Sequence, residues 1–65
     1  MTFHEFVSRL SGIDSPVGDF CADYLRRPCP AEPKSWRALY RHLSSSPQVV
    51  IDAARAAWDA YRLVR

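Results

Sequence analysis

The spacing of apolar residues along the chain predicts four helices. In each of four stretches, apolar side chains recur at i, i+3, i+4 and i+7, which places them on one face of a helix. No stretch alternates apolar and polar residues in the manner of a strand. We therefore expect an all-α protein with four apolar helix faces: Phe3, Phe6, Val7 and Leu10; Val17, Phe20, Cys21, Tyr24 and Leu25; Trp36, Leu39, Tyr40 and Leu43; and Val50, Ala54, Ala57, Trp58, Tyr61 and Val64.

Each predicted helix is preceded by a residue whose side chain can accept a hydrogen bond from the first free backbone N–H groups. Glu5 completes a capping box with the first of these residues. Pro16 and Pro47 occupy the first helical position, where the N–H that proline lacks would be unpaired in any case. The expected capping residues are Thr2, Ser15, Ser35 and Ser46.

Glycine and proline mark where the helices end. Gly12 is expected to end the first helix in a left-handed conformation, with Ile13 packing back on the last turn. The second helix should run to about Arg27, because Pro28 makes continuation unfavourable. The segment PCPAEP that follows holds three prolines in six residues, and we expect it to form a stiff loop.

The last helix, from about Pro47 onwards, is expected to be the longest, since no Gly or Pro interrupts it and alanine is the strongest helix former. One face of it points to the core. A narrow polar wedge at the spacing of weak ion pairs should face water, and consists of Asp52, Arg55, Asp59 and Arg62.

A third strip on this helix is apolar where a surface helix would ordinarily be polar. Its members are Val49, Ala53, Ala56, Ala60 and Leu63. We favour the interpretation that neighbouring helices cover the strip, because a helix that is apolar almost all round is usually buried. The alternative is that the strip contacts a second molecule.

The length and composition fit one small globular domain. With 65 residues, 48% of them hydrophobic and 25% charged, residues 1–65 are expected to form a single compact helical bundle. No apolar run approaches the roughly 20 residues that span a bilayer, and the first residues lack the order of a signal peptide. We therefore expect no contact with a membrane and a cytoplasmic location.

The two cysteines are too few for a disulfide framework, and their spacing fits neither a redox pair nor a zinc site. Cys21 lies on a predicted apolar face and is expected in the core. Cys29 lies between two prolines, where it could fill space under the loop or be an exposed thiol; both interpretations stay open. A disulfide between the two is not expected in a reducing compartment.

The residues that could carry chemistry are few and scattered. His4 and His42 have no partner at metal-ligand spacing, and we expect both to be partly exposed surface residues. Asp19 and Asp23 could be paired carboxylates, but at i, i+4 on a helix they are more typical of a solvated face. We therefore expect no catalytic residue, metal, cofactor or small-molecule substrate, and no enzyme activity.

The modest net charge of +2 conceals an uneven distribution. Residues 1–25 carry one arginine against four acidic residues, whereas residues 26–42 carry five cations against one glutamate. The acidic part offers a candidate docking face of Asp14, Asp19 and Asp23. The basic part offers candidate contacts to a partner or to phosphate groups at Arg26, Arg27, Lys34, Arg37 and Arg41.

Several stretches resemble a known family. TFHEF at residues 2–6 resembles its opening, DSPVGDFCADYL at 14–25 is similar to its second segment, and AAWDAY at 56–61 resembles its C-terminal motif. These stretches, with Trp36, Leu39 and Leu43, are similar to the YozE-like family of short bacterial proteins. The resemblance implies a fold like the sterile alpha motif, with no established catalytic activity or cofactor.

The chain also departs from the family pattern. Arg26 and Arg27 stand where the family has acidic residues, Cys29 and Pro30 replace its usual Phe-Pro, and the loop before the last helix is shorter by about two residues. A surface property of the family therefore cannot be transferred to this chain.

Two functions follow from the charge distribution. The favoured one is a protein interaction module, with opposed acidic and basic patches that steer association to a protein partner or to a weakly self-associating copy. Head-to-tail docking of this kind is typical of sterile alpha motif domains. The alternative is a nucleic-acid-binding module, although the pI of about 8.8 lies below the value of about 9 typical of such domains.

Overall fold

Four helices and their connections make up the computed structural model, which describes residues 1–65. The helices are α1 (Phe3–Leu10), α2 (Pro16–Arg26), α3 (Trp36–Leu43) and α4 (Gln48–Val64). There is no strand, and α4 is about twice as long as α1 or α3. The expected all-α four-helix bundle with a long C-terminal helix is confirmed. None of the four helices combines the length and apolar character that crossing a membrane requires.

Three of the four expected caps form. Thr2 accepts from the Glu5 N–H at 3.1 Å and completes the capping box. Ser15 accepts from the Gly18 N–H at 3.1 Å, and Ser35 accepts from the Ala38 N–H at 3.2 Å. Local sequence therefore specifies the starts of α1, α2 and α3.

The expected start of α4 is wrong by one residue. Pro47 is the capping residue rather than the first helical residue, and no side chain caps the helix. The Ser46 N–H instead donates to the Leu43 carbonyl at 2.8 Å, which continues the turn after α3. Ser46 thus belongs to the end of α3 and not to the start of α4.

Gly12 does not have the role expected from the sequence, and Gly18 has a packing role that the sequence did not indicate. Neither glycine has a positive φ, so Gly12 does not end α1 in a left-handed conformation. The chain turns there through the Ile13 N–H, which donates to the Leu10 carbonyl at 3.0 Å, and Ile13 stays 49% exposed. At Gly18, a Cβ would lie 1.8 Å from the Ile13 carbonyl oxygen, so only glycine fits against this turn.

The core lies where α1, α2 and the middle of α4 meet. Phe3 is fully buried and its ring packs against three aromatic rings at 5.2 to 5.5 Å: those of Tyr24, Trp58 and Tyr61. From α3, Leu39 and Leu43 complete the core, while Tyr40 is 42% exposed. The expected core faces are therefore largely confirmed, except that Leu25, Tyr40 and Val64 are exposed.

The apolar strip on α4 is not covered by other helices. Val49 is 69% and Leu63 is 87% exposed, and Ala56 and Ala60 are exposed between them. Only Ala53 is buried. The favoured interpretation was wrong because α1, α2 and α3 are too short to surround a helix of 17 residues and pack on one side of it.

The proline-rich loop is packed against the bundle rather than extended into solvent. Cys29 and Pro33 are buried, which leaves Cys29 filling space under the loop rather than exposed. Cys21 is fully buried in the core, as expected. Both cysteines are free thiols.

Candidate functional site

An open groove runs between α2 and the first turns of α4. It has a volume of about 290 Å³. Its floor is apolar and two carboxylates stand on its rim. The lining residues are Pro16, Asp19, Phe20, Asp23, Val49, Val50 and Ala53. The groove therefore joins two features that the sequence analysis treated separately, the acidic face of α2 and the apolar strip of α4.

The helical period places both carboxylates on the groove. Asp19 and Asp23 are four residues apart on α2, so they lie one turn, or about 6 Å, apart along the helix axis. Both are exposed, and Asp23 makes only a long ion pair with Arg26 at 3.9 Å. Asp14, the third residue of the candidate acidic face, lies before α2 and does not line the groove.

Two of the candidate basic residues form a pair with the same spacing. Arg37 and Arg41 are four residues apart on α3, both are exposed, and neither has an ion-pair partner in the molecule. Tyr40 lies beside them, 42% exposed, with its ring stacked on Trp36 at 6.0 Å and 11° between the planes. An exposed aromatic ring, stacked on Trp36, thus lies beside the arginine pair on α3.

The other three candidate basic residues lie elsewhere. Arg26 and Arg27 are at the end of α2, and Lys34 precedes α3. No groove of the molecule is lined by two of the five candidates. The five candidates therefore come from the end of α2, the proline-rich loop and α3, and Arg37 and Arg41 are the two that share a helix.

A second basic region was missed from the sequence. Lys34 lines a cleft with Arg55 from the middle of α4 and with Arg62 and Arg65 at its end. The sequence assigned Arg55 and Arg62 to a polar wedge of ion pairs, of which only Arg55 with Asp59 forms, at 3.3 Å. Because Lys34 and the arginines are 21 or more residues apart in the chain, helical spacing could not reveal the cleft.

A chain of polar contacts ties the proline-rich loop to α1 and α2. The Cys29 N–H donates to the Tyr24 hydroxyl at 3.2 Å, and that hydroxyl pairs with His4 Nε2 at 2.8 Å. The Tyr24 hydroxyl thus lies between Cys29 and His4, and the Nδ1 of His4 faces Glu32 at 3.2 Å. The other carboxylate oxygen of Glu32 accepts from the Phe3 N–H at the start of α1.

A carboxylate, an imidazole and a hydroxyl in this order have the composition of a catalytic triad. Here, however, they hold the proline-rich loop against α1 and α2. The Tyr24 hydroxyl belongs to a residue only 3% exposed. Burial raises the pKa of Tyr24 well above its ordinary value of 10, which favours the neutral phenol over a nucleophilic phenolate. His4 is half-buried in this network, and its structural role was missed in the sequence analysis.

His42 makes a simpler contact of the same kind. It is exposed, as expected, and its Nε2 pairs with the Arg27 carbonyl at 2.7 Å, which closes the end of α2 against α3. Nowhere do three His, Cys, Asp or Glu side chains come close enough to bind one metal ion.

Comparison of the chain with protein-family models, with curated proteins and with solved structures gives no match.

Proposed function

We propose that the protein is a non-catalytic interaction module that associates with a second copy of itself, head to tail. The supporting observation is the matched pair of surfaces described above. The groove presents Asp19 and Asp23 one turn apart around an apolar floor, and α3 presents Arg37 and Arg41 one turn apart beside Tyr40. In a docked pair, Arg37 and Arg41 of one copy would form ion pairs with the two equally spaced carboxylates of the next copy. Tyr40 of the first copy would lie over the apolar floor of that groove.

The residue types on the two surfaces favour contact with a partner over permanent exposure to solvent. Tyr and Arg are the side chains over-represented among residues that dominate binding energy. Tyr40 is held by its stacking on Trp36, so little side-chain freedom is lost when it is buried against a partner. Val49 is 69% exposed in the groove and would be covered by the docked helix.

The two surfaces come from different helices of the molecule. None of the residues that line the groove comes from α3, and Arg37 and Arg41 point to solvent. The contact is therefore between copies and is heterologous, so each docked copy leaves a groove and an α3 face free for the next one. An interface made of one groove of about 290 Å³ and one face of a short helix is small, and small interfaces are typical of weak, transient association.

This role agrees with the sequence resemblance, and we propose that the protein is a YozE-like protein with a sterile-alpha-motif-like fold that works in the cytoplasm. The nucleic-acid alternative has less support, because the pI of about 8.8 lies below the value of about 9 typical of nucleic-acid-binding domains.

Sedimentation over a range of concentrations tests the proposal. The parent chain should show a weight-average mass that rises with concentration and falls again when salt is added, because salt screens the ion pairs. Reversal of the groove charges, Asp19→Arg with Asp23→Arg, and reversal of the α3 charges, Arg37→Glu with Arg41→Glu, should each yield a monomer.

Matched variants separate docking from net charge. Asp14→Arg with Asp52→Arg, and Arg9→Glu with Arg65→Glu, make the same charge changes at exposed residues outside the two surfaces. These variants should associate like the parent. A parent chain that stays monomeric at millimolar concentration, or control variants that lose association equally, would rule the proposal out.

A further inference from the structure

The cleft between the start of α3 and the second half of α4, from about Arg55 onwards, gathers cationic side chains from two parts of the chain. It has a volume of about 260 Å³. Four of the side chains that line it are cationic and none is a carboxylate. The lining residues are Lys34, Ser35, Trp36, Arg55, Trp58, Arg62 and Arg65. Of these residues only Lys34 is one of the five candidate basic residues.

One of the four cations is held in place in the free molecule. The Nε of Arg55 pairs with Asp59 at 3.3 Å, and its guanidinium carbon lies 5.1 Å from the centre of the Trp36 ring. These two contacts fix the plane of the guanidinium and leave its terminal nitrogens without a partner. A fixed guanidinium with free donors is the form in which arginine binds phosphate oxygens in a bidentate manner.

The backbone of α3 adds donors to the same cleft. Ser35 caps the Ala38 N–H, but the N–H groups of Trp36 and Arg37 in the first turn have no acceptor. No acidic residue lies in that first turn. The cationic cleft therefore also receives the positive end of a helix, which favours an anion further.

We propose that this cleft binds the diphosphate group of a small phosphorylated molecule. The four cationic side chains less the paired Asp59 leave a side-chain charge of about +3 around the cleft. A phosphate monoester carries about two negative charges at neutral pH, and a second phosphoryl group raises this to about three. The volume lies below the roughly 300 to 1,000 Å³ of sites that enclose a whole ligand, so the diphosphate enters and the remainder stays in solvent.

Intrinsic fluorescence reports binding directly. The chain has two tryptophans, Trp36 and Trp58, and both line the cleft. Titration with pyrophosphate at constant ionic strength, in magnesium-free buffer, should change the emission and saturate with one site per chain. Arg55→Gln should weaken binding about tenfold, as expected for one lost charge-assisted hydrogen bond. Arg9→Gln, which removes an exposed charge outside the cleft, should leave the dissociation constant unchanged.

Other ligands distinguish the source of the diphosphate. ADP that binds more tightly than pyrophosphate indicates a nucleotide, and equal binding indicates free diphosphate; both support the site. Three results would overturn it: no change in emission up to about 10 mM pyrophosphate, equal losses in Arg55→Gln and Arg9→Gln, or tighter binding of an eight-nucleotide oligothymidylate without a terminal phosphate. The last result would assign the cleft to a nucleic acid backbone. Circular dichroism of each variant checks that the helices are intact.

Discussion

At the scale of single residues, Gly18 is the position where the backbone leaves least room. The turn between α1 and α2 brings the Ile13 carbonyl against the first turn of α2, so that even a methyl group at residue 18 would overlap it. The sequence pattern could not indicate this, because a glycine inside a helix looks only like a weak helix former. The close approach depends on how the chain turns between Leu10 and Ser15.

Gly18→Ala should therefore destabilise the protein by about 1 to 3 kcal/mol, the usual cost of overpacking, despite the higher helix propensity of alanine. Gly12→Ala is the matched control, because nothing lies within 4 Å of its Cβ position and its φ is not positive. The control should be neutral or more stable by up to about 1 kcal/mol. Urea unfolding measures both, and equal stability of the two variants would contradict the packing described for Gly18.

The buried thiol and phenol make stability depend on alkaline pH. Burial raises the pKa of Cys21 from 9.0 to about 11, and the pKa of Tyr24 is raised as well. An acid with a raised pKa keeps its proton longer in the folded state, so its stabilising contribution is complete below pH 9 and is lost as the pH rises toward 11.

The unfolding free energy should fall by about 1.4 kcal/mol per pH unit above pH 9 from Cys21 alone. Cys21→Ala should remove the part of the decline that begins near pH 9, and Tyr24→Phe should remove the part that begins near pH 10. Denaturant unfolding at a series of pH values provides the measurement. A stability that is constant from pH 8 to pH 11 would show that the two groups are not buried as described.

At the scale of helices, α4 determines where the others pack. It is buried along the side formed by Ala54, Ala57, Trp58 and Tyr61, and it is open along the side formed by Val49, Ala56 and Leu63. The small alanines on the buried side let α1 and α2 approach closely, which brings Phe3 into contact with Trp58. The open side has no helix to cover it.

Trp58→Ala should cost about 3 to 5 kcal/mol, a large part of the stability of so small a domain. Leu63→Ala, five residues further along the same helix, should change stability by less than about 0.5 kcal/mol, because Leu63 is 87% exposed. Thermal unfolding followed by circular dichroism compares the two variants. If they melted alike, the division of α4 into a buried and an open side would be wrong.

The helices themselves were largely predictable from the sequence, whereas contacts between distant residues were not. Apolar spacing and the caps at Thr2, Ser15 and Ser35 are local features, and the structure confirms them. The pairing of His4 with Glu32, by contrast, joins residues 28 apart through the path of the proline-rich loop. Local pattern carries no information about such a contact, and the same is true of the basic cleft.

The candidate site was predictable only in its parts. The acidic residues of α2, the arginine pair of α3 and the apolar strip of α4 all follow from helical spacing. Their arrangement does not, because it depends on which side of α4 each helix takes. The prediction that helices cover the strip was wrong for the same reason, since helical spacing indicates an apolar strip without indicating whether enough chain remains to bury it.

At the scale of the whole molecule, the surface divides into three regions of different character. The groove is acidic and apolar, and the exposed face of α3 is basic and aromatic. The cleft between the start of α3 and the second half of α4 is basic. The net charge of +2 hides this division. Complementary patches on one small domain orient an approaching copy before contact, which raises the association rate more than the affinity.

The central claim is that the groove of one copy receives the α3 face of the next. Its most direct test mixes two variants that are each unable to self-associate: Asp19→Arg with Asp23→Arg, which keeps a native α3 face, and Arg37→Glu with Arg41→Glu, which keeps a native groove. Sedimentation of each alone should give a monomer, and sedimentation of the equimolar mixture should give a larger species that contains both. A mixture that sediments as two monomers would contradict head-to-tail docking.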